Sequence, residues 1–214
     1  MADIFQEVDE EVRRENWQRL WKRYGRYTTG ALTVILLAIA GYIGWQKYTE
    51  IREGERAQQF ANAILLLGDP DPAKATTAFQ QLAQDSDGLA VAARLRIAAQ
   101  KVAANDVAGA VATYDAIAAD ASLPQPLRDA ATLLAALQTV DTAEPADITK
   151  RLEPLTAATS PWRFSALELT ALAAQRAGDL TKARSIYTLL ADDLDTPQRL
   201  RGRAAEMLEA LKEK

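Results

Sequence analysis

Residues 178–201 read GDLTKARSIYTLLADDLDTPQRLR, and the same order of residue types runs through 105–128 as NDVAGAVATYDAIAADASLPQPLR. At this offset of 73 residues, Asn105-Asp106-Val107 falls on Gly178-Asp179-Leu180, Ala110 on Ala183, Tyr114 on Tyr187 and Ala118 on Ala191. Farther on, Pro124-Gln125 falls on Pro197-Gln198 and Leu127-Arg128 on Leu200-Arg201. The offset is about two units of a 34-residue helix–turn–helix repeat with small insertions. Each part of the string has a mechanical reason. Gly or Asn ends one helix in a left-handed conformation, and the Asp carboxylate caps the next. The Ala four residues later lets the second helix press against the first, and the Tyr after it fills the gap to the next unit. Proline then opens the following helix, where its missing N–H does no harm. Beyond residue 54, Ala and Leu recur at helical spacing and the period-two runs of strands are missing, so the chain reads as all-α.

Other units follow the same plan less strictly. Residues 58–67 form one expected helix, 68–72 its turn, and Ala75 with Phe79 the small and large positions of the partner helix. A third pair takes 127–137 and 148–158, with Pro154 expected to kink or shorten the latter. A fourth takes 162–177 and 180–193, and 199–211 is a charged terminal helix that caps the stack. The expectation is a solenoid of about four helix pairs plus that cap, some nine helices, over 57–214. This arrangement resembles tetratricopeptide (TPR-like) repeats, and Gly-Asp-Leu-x-x-Ala-x-x-x-Tyr at 178–187 is the best match. The Trp and Leu of that family's first helix are replaced here by Leu167 and Thr170.

Ahead of the repeats, the twenty residues bounded by Tyr27 and Gln46, YTTGALTVILLAIAGYIGWQ, carry no charge. As a helix they measure about 30 Å, the thickness of a bilayer's hydrocarbon core. Trp21, Tyr24 and Tyr27 at one end, and Tyr42, Trp45 and Tyr48 at the other, match the aromatic belts of a membrane anchor. Lys22, Arg23 and Arg26 precede the span and a mixed set of charges follows it. This places residues 1–26 in the cytoplasm, 27–46 across the membrane, 47–56 as a juxtamembrane linker and the repeats outside. The rival reading is a cleaved secretory signal, since Ala38-Ile39-Ala40 followed by Gly41 fits a small-x-small cut site. The 26-residue region before the apolar run, with its many acids, and the continuation of the run to Trp45 weigh for an uncleaved anchor. Ala40 and Gly44 form a small-xxx-small pair that either brings two membrane helices together or faces lipid. No ionisable residue lies within the span, which argues against a proton relay or transport path. Before it, Ile4, Phe5, Val8 and Val12 share one helical face, while Trp17, Leu20, Trp21 and Tyr24 lie roughly opposite. That pattern fits a short docking helix, or a charged tail, better than one amphipathic stripe.

The net charge is −4, and the first 46 residues balance six acids against six bases. A mildly acidic repeat region is a poor nucleic-acid binder. With neither cysteine nor histidine, common zinc sites and Ser-His or Cys-His nucleophile systems cannot be built. No phosphate-cradling glycine loop occurs. Asp85-Ser86-Asp87-Gly88 has only part of a calcium loop's pattern and reads as a turn. Asp192, Asp193 and Asp195 form an acidic knot that either solvates a helix end or attracts a cation. No catalytic, cofactor or metal residue is expected, and the chain is not expected to be an enzyme. What remains is surface. First helices line the concave face of such a solenoid, so Leu95, Ala99 and Val102, with Glu168, Leu172 and Gln175, are candidates for a partner groove or for inter-helix core.

One span, a small divergent repeat domain and the opening string MADIFQEVDEEVRRENWQRLWKRYG together resemble the ancillary SecYEG translocon subunit family (YfgM-like, alphaproteobacterial type). The resemblance covers the whole chain and implies a single-pass inner-membrane protein with a periplasmic TPR-like domain. It also implies association with the Sec translocon and with periplasmic chaperones that receive secreted or envelope polypeptides. It brings no catalytic residue and no small-molecule substrate. The same architecture also suits a scaffold for envelope assembly or cell division.

Overall fold

Left-handed backbone followed by a capping carboxylate separates the helices at both repeated turns. Asn105 and Gly178 have φ of 63° and 79°. At each, the next N–H reaches back five residues: Asp106 to the Lys101 carbonyl (2.8 Å) and Asp179 to the Ala174 carbonyl (3.0 Å). This is the hydrogen-bond pattern that closes a helix on a left-handed residue. The two aspartates then accept from the N–H groups of Gly109 and Lys182, both at 2.9 Å, and start the following helices. Asp71 caps the earlier unit through the Ala73 N–H (3.0 Å).

A computed structural model describes the backbone of residues 3–84 and 88–212, with side chains described from Trp21 onward except Tyr24, Arg26 and Thr28. The faces expected from Ile4 to Val12 and around Trp17, Leu20 and Tyr24, and the turn at Asp85-Ser86-Asp87, lie outside those limits. Among the described residues every regular element is helical. The α-helices are α1 (Asp3–Leu65), α2 (Pro72–Leu82), α3 (Gly88–Ala103), α4 (Val107–Ala119), α5 (Gln125–Thr139), α6 (Pro145–Leu152), α7 (Arg163–Arg176), α8 (Leu180–Asp192) and α9 (Gln198–Lys212). Short 3-10 turns follow α1 and α6.

The chain divides into two compact units, residues 1–57 and 58–214. In the first, α1 contains the one described helix long and apolar enough to cross a membrane. Its apolar side chains point outward all round, from Leu32 and Ile35 to Ile43 and Trp45. A helix apolar on every side is solvated by lipid or by other protein rather than water. The hydroxyls of Thr29 and Thr33 donate to the carbonyls four residues back, at 2.8 and 2.9 Å, so neither needs water. Residues 47–56 remain helical within α1.

In the second unit, the last residues of α1 pair with α2, then α3 with α4, α5 with α6 and α7 with α8, and α9 closes the stack. Each helix packs on its sequence neighbours, and the core is a chain of local clusters. The small positions Ala75, Ala110 and Ala183 are all fully buried. Four residues on, Phe79, Tyr114 and Tyr187 are buried too. Phe79 meets Phe60 edge to face with ring centroids 5.7 Å apart, so the end of α1 belongs to the first pair. The boundaries of the third pair shift. Pro145 opens α6 earlier than the expected residue 148, and Pro154 tightens the chain into a 3-10 turn over Glu153–Thr156. Proline has no N–H to donate and its ring crowds the preceding turn, so α6 stops at Leu152.

Candidate binding surfaces

Between α6 and α8 an opening lies over α7. A groove of about 600 Å³ runs there, with α7 as floor and α6 and the start of α8 as walls. Its floor is small and apolar, including Leu167, Ala173, Ala174 and Ala177. Lys150 and Glu153 stand on one wall, Asp179 and Lys182 on the other. The Thr170 hydroxyl is buried but donates to the Ala166 carbonyl (2.8 Å), so the floor presents no free polar group at that point. This groove was not legible in the sequence.

The expected first-helix residues fall in two environments. Leu95 and Val102 are half-buried and pack against the α3–α4–α5 clusters, whereas Ala99 is exposed. The open stripe of α3 is instead Ala92, Arg96, Ala99 and Ala103, with Arg96, Ala99 and Ala103 exposed and Ala92 half-buried. On α7, Leu172 packs at the rim of the α5–α6–α7 cluster. Gln175 is half-buried and its Oε1 has no hydrogen-bond partner among the described residues. Glu168 is bound to its neighbour: Arg203 of α9 donates through Nε and Nη2 to both carboxylate oxygens at 2.8 Å. That two-point pairing fixes the guanidinium plane and raises the Arg203 pKa. The structure thus brings Glu168, Leu172 and Gln175 onto the α5- and α9-facing side of α7, and does not bring Leu95 and Val102 to the open side of α3.

Electrostatics in this unit serve the turns. Asp120 accepts from the Ser122 hydroxyl and N–H (2.5 and 3.1 Å), and Arg94 adds a contact at 3.3 Å. These bonds, those from Ser122 first, hold its carboxyl below the ordinary value. Asp193 of the acidic knot is half-buried against Arg163 (3.4 Å). Among the described residues no three acidic side chains converge on a point suited to a metal ion. Burial, and then the nearby Glu168 carboxylate, push the Tyr187 phenol up to about 12.

In the candidate span, a Cβ added at Gly44 would meet nothing within 4 Å among the described residues, and the neighbouring apolar side chains are exposed. Ala40 and Gly44 therefore lie on an open helix surface.

Helix pairs stacked in order, a polar terminal helix and an apolar candidate span define a helical-repeat protein built to present surface to other proteins. More particularly, the chain belongs to the tetratricopeptide repeat-like domain family, whose model matches residues 18–211. No curated protein and no solved structure matches it. The fold is typically a non-catalytic interaction scaffold, and the family match takes in the candidate span as well as the repeats.

Proposed function

We propose that the chain is a membrane-tethered adaptor of the bacterial inner membrane. Residues 1–26 lie in the cytoplasm, 27–46 cross the bilayer, 47–56 are the juxtamembrane linker and 57–214 form the periplasmic repeat domain. There it associates with the Sec translocon and with periplasmic chaperones, and assists secreted or envelope polypeptides. The observation that carries the reading is one chain joining an outward-facing apolar helix to an interaction repeat. Lys22, Arg23 and Arg26 before the span favour this orientation.

Tethering is the mechanism. One membrane helix confines the repeat surface to a thin layer at the membrane. The local concentration against emerging chains rises, and contacts of modest affinity suffice. Co-purification of the full chain and of a form lacking residues 1–46 tests this. The full chain is expected to recover translocon subunits and chaperones, and the truncated form to lose them. Equal recovery by both forms overturns the tether. Recovery of only division or envelope-assembly proteins transfers the adaptor role to those complexes.

A further inference from the structure

The turn between α8 and α9 exposes a leucine that its own fold does not use. In that turn the Asp193 carboxylate accepts from the Asp195 N–H (2.9 Å) and the Asp193 carbonyl from the Thr196 N–H (3.1 Å). The repeat-equivalent turn between α4 and α5 makes the same two bonds, Ser122 N–H to the Asp120 carboxylate and Leu123 N–H to its carbonyl, both at 3.1 Å. Each aspartate also meets an arginine of its own pair. Where the second turn carries Leu194, the first carries Ala121. The turn closes without a leucine, yet Leu194 is 84% exposed, more than any other large apolar side chain described. It stands between Asp192 and Asp195, whose carboxylates are exposed and form no ion pair among the described residues.

The exposed face of α8 continues this surface. Lys182, Ser185, Leu189 and Asp192 are all exposed. Their spacing of three, four and three residues puts them on one side of the helix. The order is self-complementary. If a second α8 is laid antiparallel about a two-fold axis at the level of Tyr187, Lys182 meets Asp192 of the second copy and Ser185 meets its Leu189. The same rotation carries the turn after the second copy's α8, with Leu194, to the N-terminal end of the first α8. At that end lies the groove walled by Pro145, Ala146 and Lys150 on one side and by Asp179 and Lys182 on the other. Lys150 and Lys182 have no ion-pair partner among the described residues, while Asp179 is committed to its cap. Asp192 of the second copy therefore arrives at the unpaired Lys182, and Lys150 stands across the same groove mouth. A chain cannot make this contact with itself, because one helix holds Lys182 and Asp192 about 15 Å apart.

We propose that a second copy of this chain docks antiparallel along α8, each copy inserting Leu194 into the α6–α7–α8 groove of the other. The contact is isologous and closes as a dimer. It stands independently of which partners the repeat domain recruits.

The chain contains no cysteine, so introduced thiols report contacts without background. The test uses the full chain in native membranes under mild oxidation. Thr188→Cys lies exposed beside the proposed axis and is expected to give disulfide-linked dimer. So is a mixture of Ser185→Cys and Leu189→Cys chains. Ala99→Cys, exposed on α3, is expected to give far less. Lys182→Asp and Asp192→Lys each create two like-charge contacts and are expected to weaken detergent-solubilised dimer by about tenfold. The double reversal restores it, and Leu194→Asp abolishes it. Circular dichroism establishes that each variant is folded. Equal crosslinking at Thr188→Cys and Ala99→Cys, as random collision or association through the membrane helices would give, overturns the proposal. So does a double reversal that stays monomeric.

Discussion

Replacing Tyr187 with Phe removes one oxygen from the core and tests how that core is packed. The ring sits among α7, α8 and α9, 1% exposed, and the hydroxyl has no hydrogen-bond partner among the described residues. Burial, followed by the Glu168 charge, lifts the phenol from 10.0 to about 12. The unfolded chain therefore ionises this group first as pH rises. Its contribution is intact below about pH 10 and is lost as pH climbs towards the folded value. A two-unit gap corresponds to about 2.7 kcal/mol when fully expressed, and to about half of that near pH 11. Tyr187→Phe keeps the ring and abolishes this slope. At neutral pH it is expected to be neutral or up to about 1 kcal/mol stabilising, because it deletes an unsatisfied hydroxyl. The assay is urea unfolding of the full chain in mild detergent, followed by far-UV circular dichroism across that pH range. Tyr114, also raised by burial, ionises in both chains and cancels in the difference. Parallel stability profiles for the two proteins would refute the reasoning, since they require a phenol already open to water.

The helix stop at Gly178, with φ of 79°, makes Gly178→Ala destabilising by about 1 kcal/mol, whereas Asn105→Gly at the matching position gains a few tenths; thermal melts decide both. Phe79→Ala opens the contact between the end of α1 and α2 and costs about 3–5 kcal/mol. Hydrogen exchange should show the first pair losing protection while α7–α9 keep theirs. Asp120 has a depressed carboxyl pKa, so its stabilisation is complete above about pH 4 and fades as pH falls through the folded value. Asp120→Asn therefore flattens the acid limb of the stability curve. Leu36→Arg puts a charge at mid-span at about 2.5–3.5 kcal/mol, and carbonate washing should then release more of the protein than it does for the unaltered chain.

Sequence alone determined the helix pairs, their caps and the apolar segment. These depend on residues close together in the chain. A left-handed stop, a carboxylate three residues from the N–H it caps, and a small residue one turn before a large one recur at a readable offset. The Pro154 effect was legible for the same reason. Tertiary structure alone decided which side of each helix remains open. On α3 the expected groove positions Leu95 and Val102 are half-buried while Arg96 and Ala103 are exposed. A helix turns about 100° per residue, so an assignment one residue out of phase exchanges core for surface. The Glu168–Arg203 clasp joins residues 35 apart, and no local pattern announces it. The groove over α7 and the exposure of Leu194 likewise depend on what neighbouring helices fail to cover. A periodic sequence fixes how each helix turns along its own axis, but only packing against the next pair decides which stripe water still reaches.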